Sequence, residues 1–179
     1  MFTKLDKKEL SFIYNEYMVN DFPPDELKPL SHIERMMDHN LCTAHAMKSG
    51  DQVLSYFTLC RHSGVALVDY LAVNPEYRGQ GLGSKTLAHL KEVAAGDTVL
   101  VECENPDFAP SQEERTIRQR RINFYLAAGF SLSGVRSKLF DVEYVILTYP
   151  KSDSADKGLS DIYKQMLSDA AFKTKLEIY

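Results

Sequence analysis

The stretch Asp69-Tyr70-Leu71-Ala72-Val73-Asn74-Pro75-Glu76-Tyr77-Arg78-Gly79-Gln80-Gly81-Leu82-Gly83-Ser84 reads as a strand, a turn and a glycine-rich lead into a helix. The first N–H groups of a helix have no intrahelical partner, and the helix dipole places partial positive charge at that end. Gly79, Gly81 and Gly83 carry no Cβ, so the backbone can come close to a phosphate. Arg78 adds a fixed charge and a bidentate fork. The stretch therefore reads as an anion site at a strand–helix junction. Two nucleotide motifs fail on detail. A phosphate loop of the Walker type needs a glycine before Lys85-Thr86, and Ser84 stands there. A dinucleotide fingerprint also needs its third glycine where Ser84 stands.

Outward from this junction, apolar spacing predicts the other elements. Leu10, Ile13, Tyr14, Tyr17 and Met18 mark an amphipathic helix that starts at Asp6, with Glu9 completing a capping box, and Pro23-Pro24 ends it. A second helix starts near Ser31. Strands are predicted over 41–48, 52–61 and 65–73, joined by Ser49-Gly50-Asp51 and His62-Ser63-Gly64, which suggests an antiparallel meander. A helix over 82–94, a strand over 98–103 and a helix over 111–128 capped by Gly129 follow. Two strands over 130–139 and 141–149 come next. A polar stretch, Lys151–Lys157, then leads to a last helix with Leu159, Ile162, Tyr163, Met166, Leu167 and Ala170 on one face. With a short first strand over Phe2–Leu5, the order β-α-α-β-β-β-α-β-α-β-β-α, with a single strand–helix–strand crossover, predicts a mixed α/β fold. Its central sheet is expected to be largely antiparallel, with helices on both faces.

Composition narrows the function classes. The net charge of −4 argues against nucleic-acid binding through a basic face. No run approaches the ~18 apolar residues of a membrane span, and the first residues lack a signal-peptide layout. Cys42, Cys60 and Cys103 have no C-x-x-C spacing, so three buried reduced thiols and a cytoplasmic address are expected. His32, His39, His45 and Cys42 lack metal-ligand spacing, and no metal is expected.

Val73–Gly83, together with Phe124-Tyr125-Leu126-Ala127-Ala128-Gly129-Phe130, resembles the GNAT superfamily of acetyl-CoA-dependent N-acyltransferases. The first segment is similar to the family's pyrophosphate motif, and the second to its helix, tyrosine and closing Gly-Phe. The resemblance spans residues 1–150 as a GNAT-like domain. Residues 151–179 form a linker and helical extension outside it.

The resemblance implies acetyl-CoA as co-substrate and a primary amine, on a small molecule or peptide, as acceptor. It implies that Leu71, Ala72 and Val73 line the pantetheine arm. Arg78, Gly79, Gln80, Gly81, Leu82, Gly83 and Ser84 would hold the pyrophosphate. Tyr125 falls where many members place the acid for the departing thiolate, beside the cofactor, and Glu102 where some place the general base. Asp69 and Glu104 are rivals for the base. Many members carry Asn where this chain has Arg118 and a small residue where it has Arg121. The basic run Arg115–Arg121 reads either as a solvated helix face or as help for the cofactor's 3′-phosphate or an anionic acceptor. Phe22, Asp25 and Glu26, on the loop joining the first two helices, are acceptor candidates together with Glu102. Cys103 alternates with Glu102 to the other strand face, which favours direct transfer over a cysteine-bound intermediate. A non-catalytic acyl-CoA-binding sensor module is the alternative. A homodimer through the last helix is left open.

Overall fold

The computed structural model of the chain describes every residue except Asp25. The described elements, in order, are β1 (Phe2–Lys4), α1 (Lys7–Ile13), α2 (Val19–Asp21), α3 (Leu30–Asp38), β2 (Cys42–Ser49), β3 (Gln52–His62), β4 (Val65–Val73), α4 (Leu82–Val93), β5 (Thr98–Glu104), α5 (Gln112–Ala127), β6 (Ser131–Leu139), β7 (Val142–Tyr149), α6 (Ala155–Met166), α7 (Asp169–Lys175) and β8 (Leu176–Ile178). The fold is mixed α/β and its strand pairing is mostly antiparallel, as the hairpin spacing predicts. Among the described residues, no helix is long and apolar enough to cross a membrane. The chain forms two compact units. One is Met1–Cys60 with Val68–Ala95; the other is Arg61–Leu67 with Gly96–Tyr179.

In the first unit the strands run in the order β1-β2-β3-β4. Asp6 accepts from the Glu9 N–H at 2.8 Å and Glu9 accepts from the Asp6 N–H at 3.1 Å, so the capping box starts α1. The single helix expected through Met18 is interrupted by a π turn over Tyr14–Met18. Its i→i+5 pattern brings residues five apart toward one side, which lets Ile13 and Met18 share the core. Leu10, Ile33, Phe57, Leu87 and Leu90 complete that core. Each such side chain contributes about 1.5–3 kcal/mol on burial.

The register of β2 on β3 sets Cys42 opposite Cys60, with Cα atoms 4.0 Å apart, and the two form a disulfide. The expectation of three reduced thiols is thus overturned at two of them. The pair lies 18 residues apart, and antiparallel pairing rather than sequence spacing makes them neighbours. The thiol argument for a cytoplasmic address falls with it. Cys103 is free and buried.

His45, on β2, is buried against Phe57 at 4.9 Å and edge-on to His89 at 5.8 Å. Burial, and secondarily the charges of His89 and Lys4, lower its pKa from 6.5 to about 4. Below the ordinary value the unfolded chain takes up a proton that the folded chain refuses. His45 therefore costs stability as pH falls from 6.5 toward about 4, with a slope up to about 1.4 kcal/mol per pH unit. Above 6.5 it has no such effect. Urea unfolding at pH 7 and pH 4.5 is expected to show a smaller acid loss in His45→Phe than in the wild type. Equal losses in the two proteins contradict this.

In the second unit β5, β7, β6 and β8 follow in spatial order, and Val65–Leu67 contribute the start of β4. Glu102 stands opposite Ile146. A bulge between Leu132 and Arg136, where Gly134 takes φ +85°, bends β6. The last helix, expected to run on to Ala170, stops at Met166. Ser168 accepts from the Ala171 N–H at 3.2 Å and starts α7 as a separate helix. β8, absent from the sequence expectation, pairs Leu176–Ile178 with Ser137–Leu139 and covers the outer edge of β6.

Candidate functional site

The phosphate-type loop lies wholly in the first unit. Asn74 anchors it: its N–H donates to the Leu54 carbonyl at 3.0 Å, its side-chain amide donates to the Val53 carbonyl at 3.1 Å, and its Oδ1 accepts from the Glu76 N–H. Pro75–Tyr77 then make one 3₁₀ turn. Arg78 is exposed, and its Nε donates to the Val73 carbonyl at 3.1 Å. That bond holds the guanidinium beside the end of β4. Gly79 (φ +79°) and Gly81 (φ +75°) take the left-handed conformation that L side chains resist. Gly81 is the N-cap of α4 and supplies no side-chain cap, whereas Asp6, Ser111 and Ser168 cap α1, α5 and α7. The N-cap of α4 therefore offers no side chain to its first N–H groups. On its inner face α4 is locked down by Thr86, which donates to the Leu82 carbonyl at 2.8 Å and shares a 2.7 Å bond with Ser55. Leu71, Ala72 and Val73 are half-buried on β4, and Gln80 and Ser84 are exposed. These features suit a diphosphate: a helix start without a side-chain cap, glycines at 79, 81 and 83 that carry no Cβ, and an adjacent arginine.

The acceptor candidates on the loop after α2 also belong to the first unit. The Phe22 ring stands edge-on to Tyr70 at 4.9 Å. The Glu26 carbonyl accepts from the Tyr70 hydroxyl at 3.0 Å, and that hydroxyl accepts from the Lys28 N–H at 2.8 Å. Lys28 reaches Asp69 at 2.6 Å, and its ammonium lies 5.1 Å from the Tyr70 ring centroid. Burial, and then the Asp69 charge, push the Tyr70 phenol up to about 12. Asp21 accepts from Tyr56 at 2.6 Å, and burial and that bond raise the Tyr56 phenol. Asp25 lies outside the described residues. Phe22, Glu26 and the base rival Asp69 are thus gathered around Tyr70.

Glu102 and Tyr125 lie in the second unit. Glu102, on β5, accepts from the Ser137 hydroxyl at 2.9 Å through one oxygen and from the Tyr163 hydroxyl through the other. Cys103 points to the other side of the strand, near Tyr125 and Arg121 of α5. Burial pushes the Cys103 thiol up to about 12. Tyr125 is buried beside Phe124 and Phe130, at ring distances of 5.2 and 5.5 Å, and burial raises its phenol too. Its place is set by the end of α5. Gly129 takes φ +86°, and the N–H groups of Gly129 and Phe130 close on the Leu126 and Tyr125 carbonyls. Glu102 and Tyr125 therefore flank β5 on opposite faces.

The basic run on α5 meets carboxylates of its own unit. Arg118 and Arg121 each reach Glu104 at 2.8 Å, Arg118 also reaches Glu114 at 3.3 Å, and Arg115 reaches Asp107 at 3.0 Å. Arg118 further donates to the Asn105 carbonyl at 3.2 Å. The residue standing where the resembled family often has Asn is thus bound to Glu104. Two partners of Glu102 escaped the sequence reading. Tyr163 looked like one more apolar position of the last helix, and Ser137 like an ordinary strand residue. No spacing signal points to either.

Comparison with known proteins identifies the family and fold. The family description "Acetyltransferase (GNAT) domain" matches residues 40–132, rather more than half of the chain. The protein YjbC of Bacillus subtilis (strain 168) is 31% identical over 104 residues, which cover 58% of this chain and 49% of YjbC. The chain spans about half the length of that curated relative. A GNAT-family structure from Bacteroides thetaiotaomicron superposes with a TM-score of 0.71 at 22% identity, covering 92% of this chain and 94% of that one. An aminoglycoside 6′-N-acetyltransferase solved with coenzyme A superposes with a TM-score of 0.60 at 18% identity, covering 83% and 95%. At those identities the two structures speak for the fold, while the match over 40–132 speaks for the family. This chain belongs to the GNAT family of acetyltransferases.

Proposed function

We propose that the chain transfers the acetyl group of acetyl-CoA directly to a primary amine. The observation that carries this reading is the uncapped N-terminus of α4, preceded by Arg78 and two left-handed glycines. That loop binds the pyrophosphate, and Leu71–Val73 present backbone groups to the pantetheine arm and thioester. The neutral amine nitrogen forms its bond to the carbonyl carbon and the C–S bond breaks. Glu102 accepts the proton lost by the amine, and Tyr125 supplies the proton taken up by the thiolate. Asp69 and Glu104 are each ion-paired to a cation, and Glu102 accepts from the Ser137 and Tyr163 hydroxyls. The raised phenol keeps Tyr125 protonated at neutral pH. The raised thiol of Cys103 supports transfer without a cysteine-bound acetyl group. Phe22, Glu26 and Asp25 belong to the acceptor side, where carboxylates attract a cationic amine.

The test is thiol release from acetyl-CoA against polyamines, amino acids, an aminoglycoside and peptides with free N-termini, with mass detection of the acetylated product. One class of amine is expected to gain an acetyl group. Tight acetyl-CoA binding by calorimetry with no product from any amine would favour a sensor module, and no binding would leave the loop a mere helix start.

A further inference from the structure

We propose that Tyr163, on the helix beyond the resembled domain, is a positioning residue for Glu102. This rests on the reading of Glu102 as general base. The geometry lies within the second unit. α6 sits so close to the sheet that a Cβ at Gly158 would meet a Val65 methyl at 2.9 Å and the Leu100 Cδ1 at 3.6 Å. Glycine inside a helix costs about 1 kcal/mol against alanine, so this close approach gives the residue a structural reason. Leu100 and Glu102, two residues apart, share one face of β5. The buried residues of α6 include Gly158, close to Leu100, and Tyr163, which meets Glu102.

There the Tyr163 hydroxyl donates to one carboxylate oxygen while Ser137 donates to the other. A single donor leaves a carboxylate free to rotate about its last torsion. Two donors, one per oxygen, pin its plane. A donor to a carboxylate also favours the ionised form, the form that takes a proton. Tyr163 is fully enclosed, so its hydroxyl cannot turn to water instead. Ala155, Leu159, Ile162 and Met166 bury the rest of the helix face and hold the tyrosine in place. The extension thus acts on the proposed chemistry through one hydroxyl.

The experiment follows the Glu102 carboxyl by NMR titration of protein labelled with ¹³C-glutamate, in wild type and Tyr163→Phe. Phenylalanine keeps the ring and its packing. The Glu102 midpoint is expected to rise by about one pH unit in the variant. With the amine that gives the fastest thiol release in the panel above, the acid limb of kcat/KM is expected to rise by the same amount, with KM for acetyl-CoA unchanged. Gly158→Ala keeps the hydroxyl but displaces the helix, and is expected to move both readouts the same way by less. An unmoved midpoint in Tyr163→Phe overturns the proposal, as does a moved midpoint with an unmoved kcat/KM limb. Glu102→Gln separates the two readings. Full activity there removes the base and its positioning residue together. A dead Glu102→Gln beside a wild-type-like Tyr163→Phe removes only the role of Tyr163.

Discussion

Glu102→Gln is expected to lower kcat for acetyl transfer by about 10²- to 10⁴-fold at neutral pH, the usual range for loss of a general base. Acetyl-CoA affinity, measured by calorimetry, is expected to stay within about twofold, because the pyrophosphate loop and β4 residues assigned to the cofactor do not include Glu102. The amide keeps the shape of the side chain and can still accept from one hydroxyl. It has only one carbonyl oxygen, however, so one of the Ser137 and Tyr163 donors loses its acceptor. A stability loss of about 1–3 kcal/mol should therefore accompany the activity loss. The two effects are separable by measuring activity well below the melting temperature. If kcat falls less than threefold, the amine's proton leaves by another route, and Asp69 and Glu104 become the acids to test in turn.

Gly81→Asp is expected to weaken acetyl-CoA binding by about 100-fold, some 2.7 kcal/mol, with the melting temperature nearly unchanged. Two physical effects oppose each other at this residue. Aspartate tolerates a positive φ better than most residues and is a strong N-cap, so the helix itself should survive the change at φ +75°. The new carboxylate would answer the free N–H groups of α4 from within the chain. It would also set a negative charge where the pyrophosphate is proposed to bind. Two like charges 4 Å apart near a protein surface repel by about 4 kcal/mol, ample for the loss predicted. This variant separates an anion site from a plain helix start, since a plain helix start would keep wild-type acetyl-CoA binding and an anion site loses ligand. Binding equal to wild type would end the assignment of the loop to phosphate.

Much of the fold was legible because it depends on local signals. The Asp6–Glu9 box, the Ser111 cap of α5 and the left-handed Gly129 at its end each act within a few residues, and each occurs where the sequence places it. The Ser49-Gly50-Asp51 and His62-Ser63-Gly64 turns likewise announced β2, β3 and β4. The misses have other causes. The π turn after Ile13 keeps the same residues apolar and changes only their phase, which periodicity over eight residues does not resolve. The break at Ser168 follows from a local cap, Ser168 accepting from the Ala171 N–H, hidden within an apolar face that continues past it, whereas the strand β8 depends on an edge of β6 that exists only once the sheet has formed.

The site divides in the same way. Arg78 and Gly79–Ser84 are contiguous, and backbone conformation and helix polarity act along the chain, so the sequence alone located the strand–helix junction and the family. Pairing between distant segments followed no spacing. Tertiary structure alone decided that Cys42 meets Cys60 and that Arg118 and Arg121 are taken up by Glu104. It alone decided that Glu102 lies under the hydroxyls of Ser137 and Tyr163, 35 and 61 residues away. Hydrogen bonds and ion pairs reach only about 3–4 Å, and which side chains come that close is settled by strand register and helix packing rather than by position in the chain.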